Sequence, residues 1–299
     1  MFIDIHTHIT YGKFEEFSEM LTRKPFTVET LIKKMDSEGI QKSVLLPLTN
    51  PENLDFYAVA GNQECIEACR KYPGRLATFC NIDPRNMLNF KRGSINSLIR
   101  AYKKLGCVGI GEVCATLPVD HKLYRNLYRA AGEENMPMLF HFVSGRYLNY
   151  GAIDELHLPR LEKMLKTFPQ TIFIGHSPCF WNEIDGRLAE EQRNSYVIGP
   201  IKKKGTLWRL FEECPNLYAD TSAGSSHVAL SRDPEKGYAF LEKFNSRLFF
   251  GTDRFSSADE AKPLIIDFLK DAVKSGKISK KAFENITHKN YERVFPSAK

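Results

Sequence analysis

The sequence has no run of about 18 apolar residues, so it offers no segment able to cross a bilayer as a helix. Its opening stretch, "MFIDIHTHITYGKFEEF", lacks the basic start and apolar core of a secretory signal. Seven cysteines lie scattered through apolar segments without a CxxC pair. That argues against a disulfide frame and for reduced thiols in a cytoplasmic protein. Cys65 and Cys69 are one helical turn apart and read as part of an apolar face with Ile66. No glycine-rich loop follows the first apolar run, which disfavours an open dinucleotide-binding sheet. No linker or low-complexity stretch divides the 299 residues, so a single domain over 1–299 is expected. The net charge of +6 is spread thinly, without the basic and aromatic groove of a nucleic-acid binder. Lys202, Lys203 and Lys204 read as a solvated loop.

What the chain does have is alternation. Eight short apolar runs read as strands: "MFIDIHTH", "KSVLLPLT", "RLATFCNID", "CVGIGEVC", "PMLFHFV", "TIFIGHS", "LYADTS" and "RLFFGTD". Amphipathic segments such as "TVETLIKKMDSEG" and "SINSLIRAYKKLG" separate them, several ending in a glycine that suits a helix C-cap. Strands buried on both faces are near-continuously apolar, and parallel strands need helical crossovers. Eight such units predict an α/β fold, a single-domain (β/α)8 TIM barrel. One long loop interrupts it, from Pro178 to about Lys204 after the sixth strand, and is expected to form a lid or a pocket wall.

The polar residues inside these runs cluster at one end of each. His6 and His8 close the first strand, Glu112 the fourth, His141 the fifth, His176 the sixth and Asp253 the eighth. A barrel brings all the strand C-termini to one mouth. Residues two apart on a strand share a face, so His6 and His8 point the same way, with Asp4 a step deeper. Four imidazoles and two carboxylates there match the ligands of a divalent cation, Zn first, with Mn, Fe or Co also accepted. His121, His157 and His288 lie elsewhere and read as surface or packing residues.

This ordered set, with the wording "DIHTH", "GEV", "FH", "IGHSP", "FGTD" and the terminal "NYERVF", resembles the amidohydrolase superfamily, in particular its amidohydrolase-related branch. The resemblance covers nearly the whole chain. It implies that His6, His8 and Asp253 hold one metal. His141 and His176 then hold a second, or His176 serves as an acid–base group beside a single metal. The "GE" at Glu112 resembles the bridging carboxylate of TatD-type nucleases, which leaves one or two metals per chain. The implied activity is hydrolysis of an amide, a lactone or another ester through an activated water, with Asp253 moving the proton. The alternatives are metal-dependent decarboxylation of an unsaturated carboxylic acid and, behind it, TatD-like phosphodiester hydrolysis.

Specificity is expected in the loops after the strands. Arg146 and Tyr147 follow the fifth, Phe180, Trp181 and Arg187 the sixth, His227 the seventh and Arg254 the eighth. Arginine grips carboxylates through paired hydrogen bonds, so the expected partner is a small anionic substrate, with no membrane, nucleic acid disfavoured and a homo-oligomer left open. Asp220 in "LYADTS" either bonds a ligand histidine or caps its strand.

Overall fold

The computed structural model describes residues 1–10, 26–52, 58–90, 94–145, 150–255 and 262–295. Arg146 and Tyr147 lie outside them. Eight parallel strands follow one another in order: β1 (Phe2–Thr7), β2 (Ile40–Leu45), β3 (Leu76–Cys80), β4 (Cys107–Val113), β5 (Met138–Val143), β7 (Phe173–His176), β8 (Leu217–Asp220) and β9 (Leu248–Phe249). A two-residue strand, β6 (Ala152–Ile153), pairs with the end of β5 off this path. The eight correspond one for one to the apolar runs of the sequence.

The sheet closes through main-chain bonds between β1 and the segment after β9. Ile5 N donates to Phe250 O at 3.0 Å, Asp253 N to His6 O at 2.7 Å and His8 N to Arg254 O at 2.7 Å. Helices separate most strands, as parallel pairing demands. The helix α1 (Val28–Glu38) shows why such a segment folds locally. Thr27 caps its first turn, Leu31 and Met35 bury one face, and Gly39 ends it at φ 73°, where a side chain would be strained.

Two apolar layers result. Ile3, Ile5, Val44, Leu46, Phe79, Leu139, Ile174 and Phe249 form one cluster with Tyr291 and Phe295. Because its members come from alternate strand positions and from the last helix, α12 (Asn290–Val294, numbering the twelve described α-helices in chain order), we place it inside the barrel. The intervening strand residues, such as Phe140, Phe142 and Phe173, join the larger cluster under the surrounding helices.

This alternation aims the functional residues. His141 lies two positions beyond Leu139, and His176 two beyond Ile174, so both face the axis. On β1 the simple alternation fails. The β1–β2 register shifts between Asp4 and Thr7, and the inner face passes from Ile3 and Ile5 to His6 and His8. Asp4 therefore does not line the mouth below them. Its carboxylate accepts from the Thr252 hydroxyl at 2.6 Å and from the amides of Thr252 and His6 at 3.0 Å each.

The long segment after β7 is pinned to the barrel. It opens with the short helix α6 (Pro178–Trp181), and the main chain of Asp185 pairs antiparallel with that of Lys204 at its far end. Arg193, fully buried, donates to the carbonyls of Asp154 and Glu155 at 3.0 Å each. No helix among the described residues is long and apolar enough to cross a membrane.

Candidate metal centre

The structure brings His6, His8, Glu112, His141, His176 and Asp253 together at the C-terminal mouth. His6 Nε2 is 3.1 Å from His8 Nε2, 3.3 Å from Asp253 Oδ1 and 3.6 Å from Glu112 Oε2. His8 Nε2 is 3.3 Å from Asp253 Oδ1 and 3.5 Å from Glu112 Oε2. On the other side, Glu112 Oε1 is 2.9 Å from His141 Nδ1 and 3.8 Å from His176 Nε2. Each oxygen of Glu112 thus faces a different pair of histidines.

A second layer orients the rings. Asp220, at the end of β8, takes His6 Nδ1 at 2.6 Å on one oxygen and His176 Nδ1 at 3.0 Å on the other. His8 Nδ1 sits 2.7 Å from the Leu46 carbonyl, which only accepts, so this nitrogen carries the hydrogen. With Nδ1 engaged in all three, Nε2 is the nitrogen turned to the centre. Ser222 Oγ donates to Asp220 at 2.9 Å, the Trp181 indole donates to the Asp220 carbonyl at 3.0 Å, and Asn81 donates to the Glu112 carbonyl at 2.6 Å.

The electrostatics follow from burial. Desolvation would drive the His6 imidazole towards neutrality, but the Asp253 and Asp220 carboxylates outweigh it and hold its pKa well above the ordinary value. His176 is raised in the same contest, mainly by Asp220. Burial pushes Glu112 up, yet hydrogen bonds from His141 and His6 bring it well below the usual carboxylate range. Asp253 and Asp220 are also lowered by their histidines against desolvation. Buried, ionised carboxylates of this kind need compensating positive charge.

The donor set fits a divalent cation. Among the described residues, three overlapping groups have their ligand atoms within 4.8 Å of one another: His6, His8 and Glu112; His6, His176 and Asp253; Glu112, His141 and His176. Imidazole nitrogen with carboxylate oxygen suits Zn, Mn, Fe or Co. Asp253, with its side chain 24% exposed, is the member most open to the mouth.

Two cavities meet at Asp253 and Phe255. One of about 70 Å³ lies over His8, Glu112 and His141, with Leu48, Val59 and Tyr150 as walls. The other, about 380 Å³, is bounded by Tyr196, Gly224, His227 and Leu264. A larger cavity of about 840 Å³ opens at the opposite end, around the starts of β4, β5 and β7, with no His, Asp or Glu among the described residues of its wall. Size alone would choose it; the chemistry lies at the mouth.

The loop residues expected to read substrate divide. His227 lies in the wall of the wider mouth cavity, on α8 (Ala223–Ser231). Arg254 borders it too, but its guanidinium is buried and paired with Glu38 at 2.5 Å. Trp181 is fully buried behind Asp220 and Phe180 beside it, so neither lines the mouth. Arg187 is exposed and lines neither mouth cavity. An arginine clamp for an anion is therefore absent from the described wall. His121 caps α4 (Lys122–Glu133) and His157 pairs with Glu183, both away from the centre. Tyr196, Ser222, Asn81 and Glu38 escaped sequence reasoning. Only Asp220 carried a signal, a polar residue at a buried strand end.

A family model described as Amidohydrolase matches residues 3–296. No curated protein sequence matches the chain. Among solved structures, 2,6-dihydroxybenzoate decarboxylase from Rhizobium superposes at a TM-score of 0.60 with 19% identity, covering 98% of both chains. A dihydroxybenzoic acid decarboxylase from Polaromonas with bound manganese and the inhibitor 2-nitroresorcinol gives 0.60 at 18% identity, over 98% of this chain and 96% of that one. A protein assigned as a 2-pyrone-4,6-dicarboxylic acid hydrolase from Pseudomonas putida gives 0.61 at 14%, over 98% and 97%. At these identities the likeness is one of fold, and it spans decarboxylases and a hydrolase alike. The matched model covers nearly all of the chain: it belongs to the amidohydrolase family.

Proposed function

We propose that this chain is a metal-dependent hydrolase that cleaves an amide, a lactone or another ester of a small molecule. The observation that supports it is Glu112, whose two oxygens face two separate histidine pairs. In this reading His6, His8 and Asp253 hold one cation, His141 and His176 a second, and Glu112 is shared. Zn is the first expectation, with Mn, Fe or Co on the same donors. Bound there, a divalent cation lowers the pKa of water to about 7 and polarises the substrate carbonyl.

The protein's own groups do the rest. Asp253, ionised and at the open edge, takes the proton from the attacking water and returns it to the leaving group. Asp220 keeps His6 and His176 in the tautomer that presents Nε2. Leu48, Val59 and Tyr150 wall the small cavity and limit competing water. The seven cysteines, none of them paired, suit a reducing cytoplasm.

Elemental analysis of protein purified without chelators or a histidine tag tests the reading, followed by substrate screens. Two metals per chain and turnover of lactones, amides or esters support it. One metal with CO₂ release from unsaturated carboxylic acids assigns the chain to the decarboxylases instead. No metal, and no uptake of added Zn²⁺ or Mn²⁺, overturns both.

A further inference from the structure

The cavity over the histidines and the wider one beside it differ in what they can hold. About 70 Å³ is room for a reacting group and a water, since one water occupies about 30 Å³ of the liquid. About 380 Å³ falls in the range of small-molecule sites, about 300–1,000 Å³, and takes a ring. A substrate reacting beside Asp253 must therefore place its body in the wider cavity.

That cavity has an apolar build. The Tyr196 ring lies against Gly224 so closely that a Cβ there would sit 3.0 Å from it. Pro263, Leu264 and Ile265 form another part of the wall. Its cations are engaged: Arg254 with Glu38, Lys262 with Asp267. His227 differs from them. It is half-buried, its ring is set edge-on to Phe268 with centroids 5.9 Å apart, and it makes no hydrogen bond or ion pair among the described residues. Its ring nitrogens are not among the enclosed, unpartnered polar atoms, so they are open to water or to a ligand in the cavity that His227 lines.

We infer that His227 is a specificity-determining residue, hydrogen-bonding a polar substituent on the ring-sized body of the substrate while Tyr196 and Leu264 flank that body. Burial lowers its pKa, which keeps the imidazole neutral, able both to donate and to accept. A hydroxyl or carbonyl substituent therefore suits it. The inference takes from the proposed function only that chemistry occurs beside Asp253, and it holds for hydrolysis or decarboxylation.

Phenol and toluene, equal in size and differing by the hydroxyl, are the probes, followed by ligand-observed NMR on the metal-loaded protein. A net hydrogen bond of about 0.5–1.5 kcal/mol corresponds to about a 2–10-fold preference for phenol. His227→Leu should abolish that preference and His227→Asn should restore part of it, with metal content unchanged in both. An undiminished preference in His227→Leu, or no binding of either probe to the wild type at millimolar concentration, overturns the inference. Metal counts and turnover are read separately, so failure of the hydrolase reading leaves a distinct signature.

Discussion

Asp220 Oδ2 lies 2.6 Å from Nδ1 of His6, with both side chains wholly buried. The same carboxylate holds His176 through its other oxygen, so one residue orients an imidazole from each histidine pair. Asp220→Asn can satisfy at most one ring in the old way, because its amide nitrogen cannot accept from an imidazole N–H. Partners of this kind are worth about 10–100-fold in metal affinity. Titration against a chromophoric chelator should show a loss of that order; unchanged affinity would remove Asp220 from the centre's design.

Glu112→Gln separates the two halves of the candidate centre. A neutral amide is a poor ligand for a borderline cation and supplies no bridging charge. On the proposed two-metal reading, the expected result is a fall from two metals per chain to one, by elemental analysis. A count of two in the variant contradicts the shared-ligand role.

Arg254 and Glu38 form a buried pair, with side chains 4% and 7% exposed. Removing one partner of such a pair strands the other charge and costs about 3–5 kcal/mol. Arg254→Met should lower stability to denaturant by about that much, and Glu38→Gln should recover part of it in the double variant. Strict additivity of the two single changes would mean that the pair is not coupled. Since Arg254 follows Asp253, which sits at φ 58°, the pair also anchors the turn that presents the carboxylate.

Asp154 supplies a pH signature away from the centre. Burial pushes its carboxyl up to about 6, against the pull of amides from Leu161, Arg160 and Glu155. The folded state binds this proton more tightly than the unfolded chain, whose ordinary value is 3.8. The contribution is therefore full below about pH 4 and is lost as pH rises through about 6. Relative to Asp154→Asn, which does not titrate, the wild type should lose about 3 kcal/mol of stability between about pH 4 and about pH 7. Urea unfolding at the two pH values decides it, and a constant difference would refute it.

The features legible in sequence were those with a local period. "CVGIGEV" and "MLFHFV" are strands where an apolar run is broken by one ionisable residue, and the structure sets both, Glu112 and His141, in the candidate centre; in "FIDIHT" the break at His6 does the same and the break at Asp4 does not. "VETLIKKMDSE" is a helix with a threonine before it and a glycine after it. The register shift on β1 was not legible, because alternation alone puts Asp4 on the face of His6. Contacts across the chain were equally silent. Nothing near Arg254 announces Glu38, and nothing near Trp181 says that its indole will sit behind Asp220 instead of lining a pocket. The arginines looked alike in sequence; burial and partner choice separate Arg254, paired, from Arg187, exposed.

The bonds that join the first strand to the last run through the centre itself, from Asp253 N to His6 O and from His8 N to Arg254 O. Closing the barrel and setting the Asp253 carboxylate beside His6 and His8 are therefore one event, between segments far apart in the sequence. Such distant pairings form late and slowly. While that closure is open, the two β1 histidines stand without Asp253 beside them, so opening the seam and dismantling the candidate centre are the same motion.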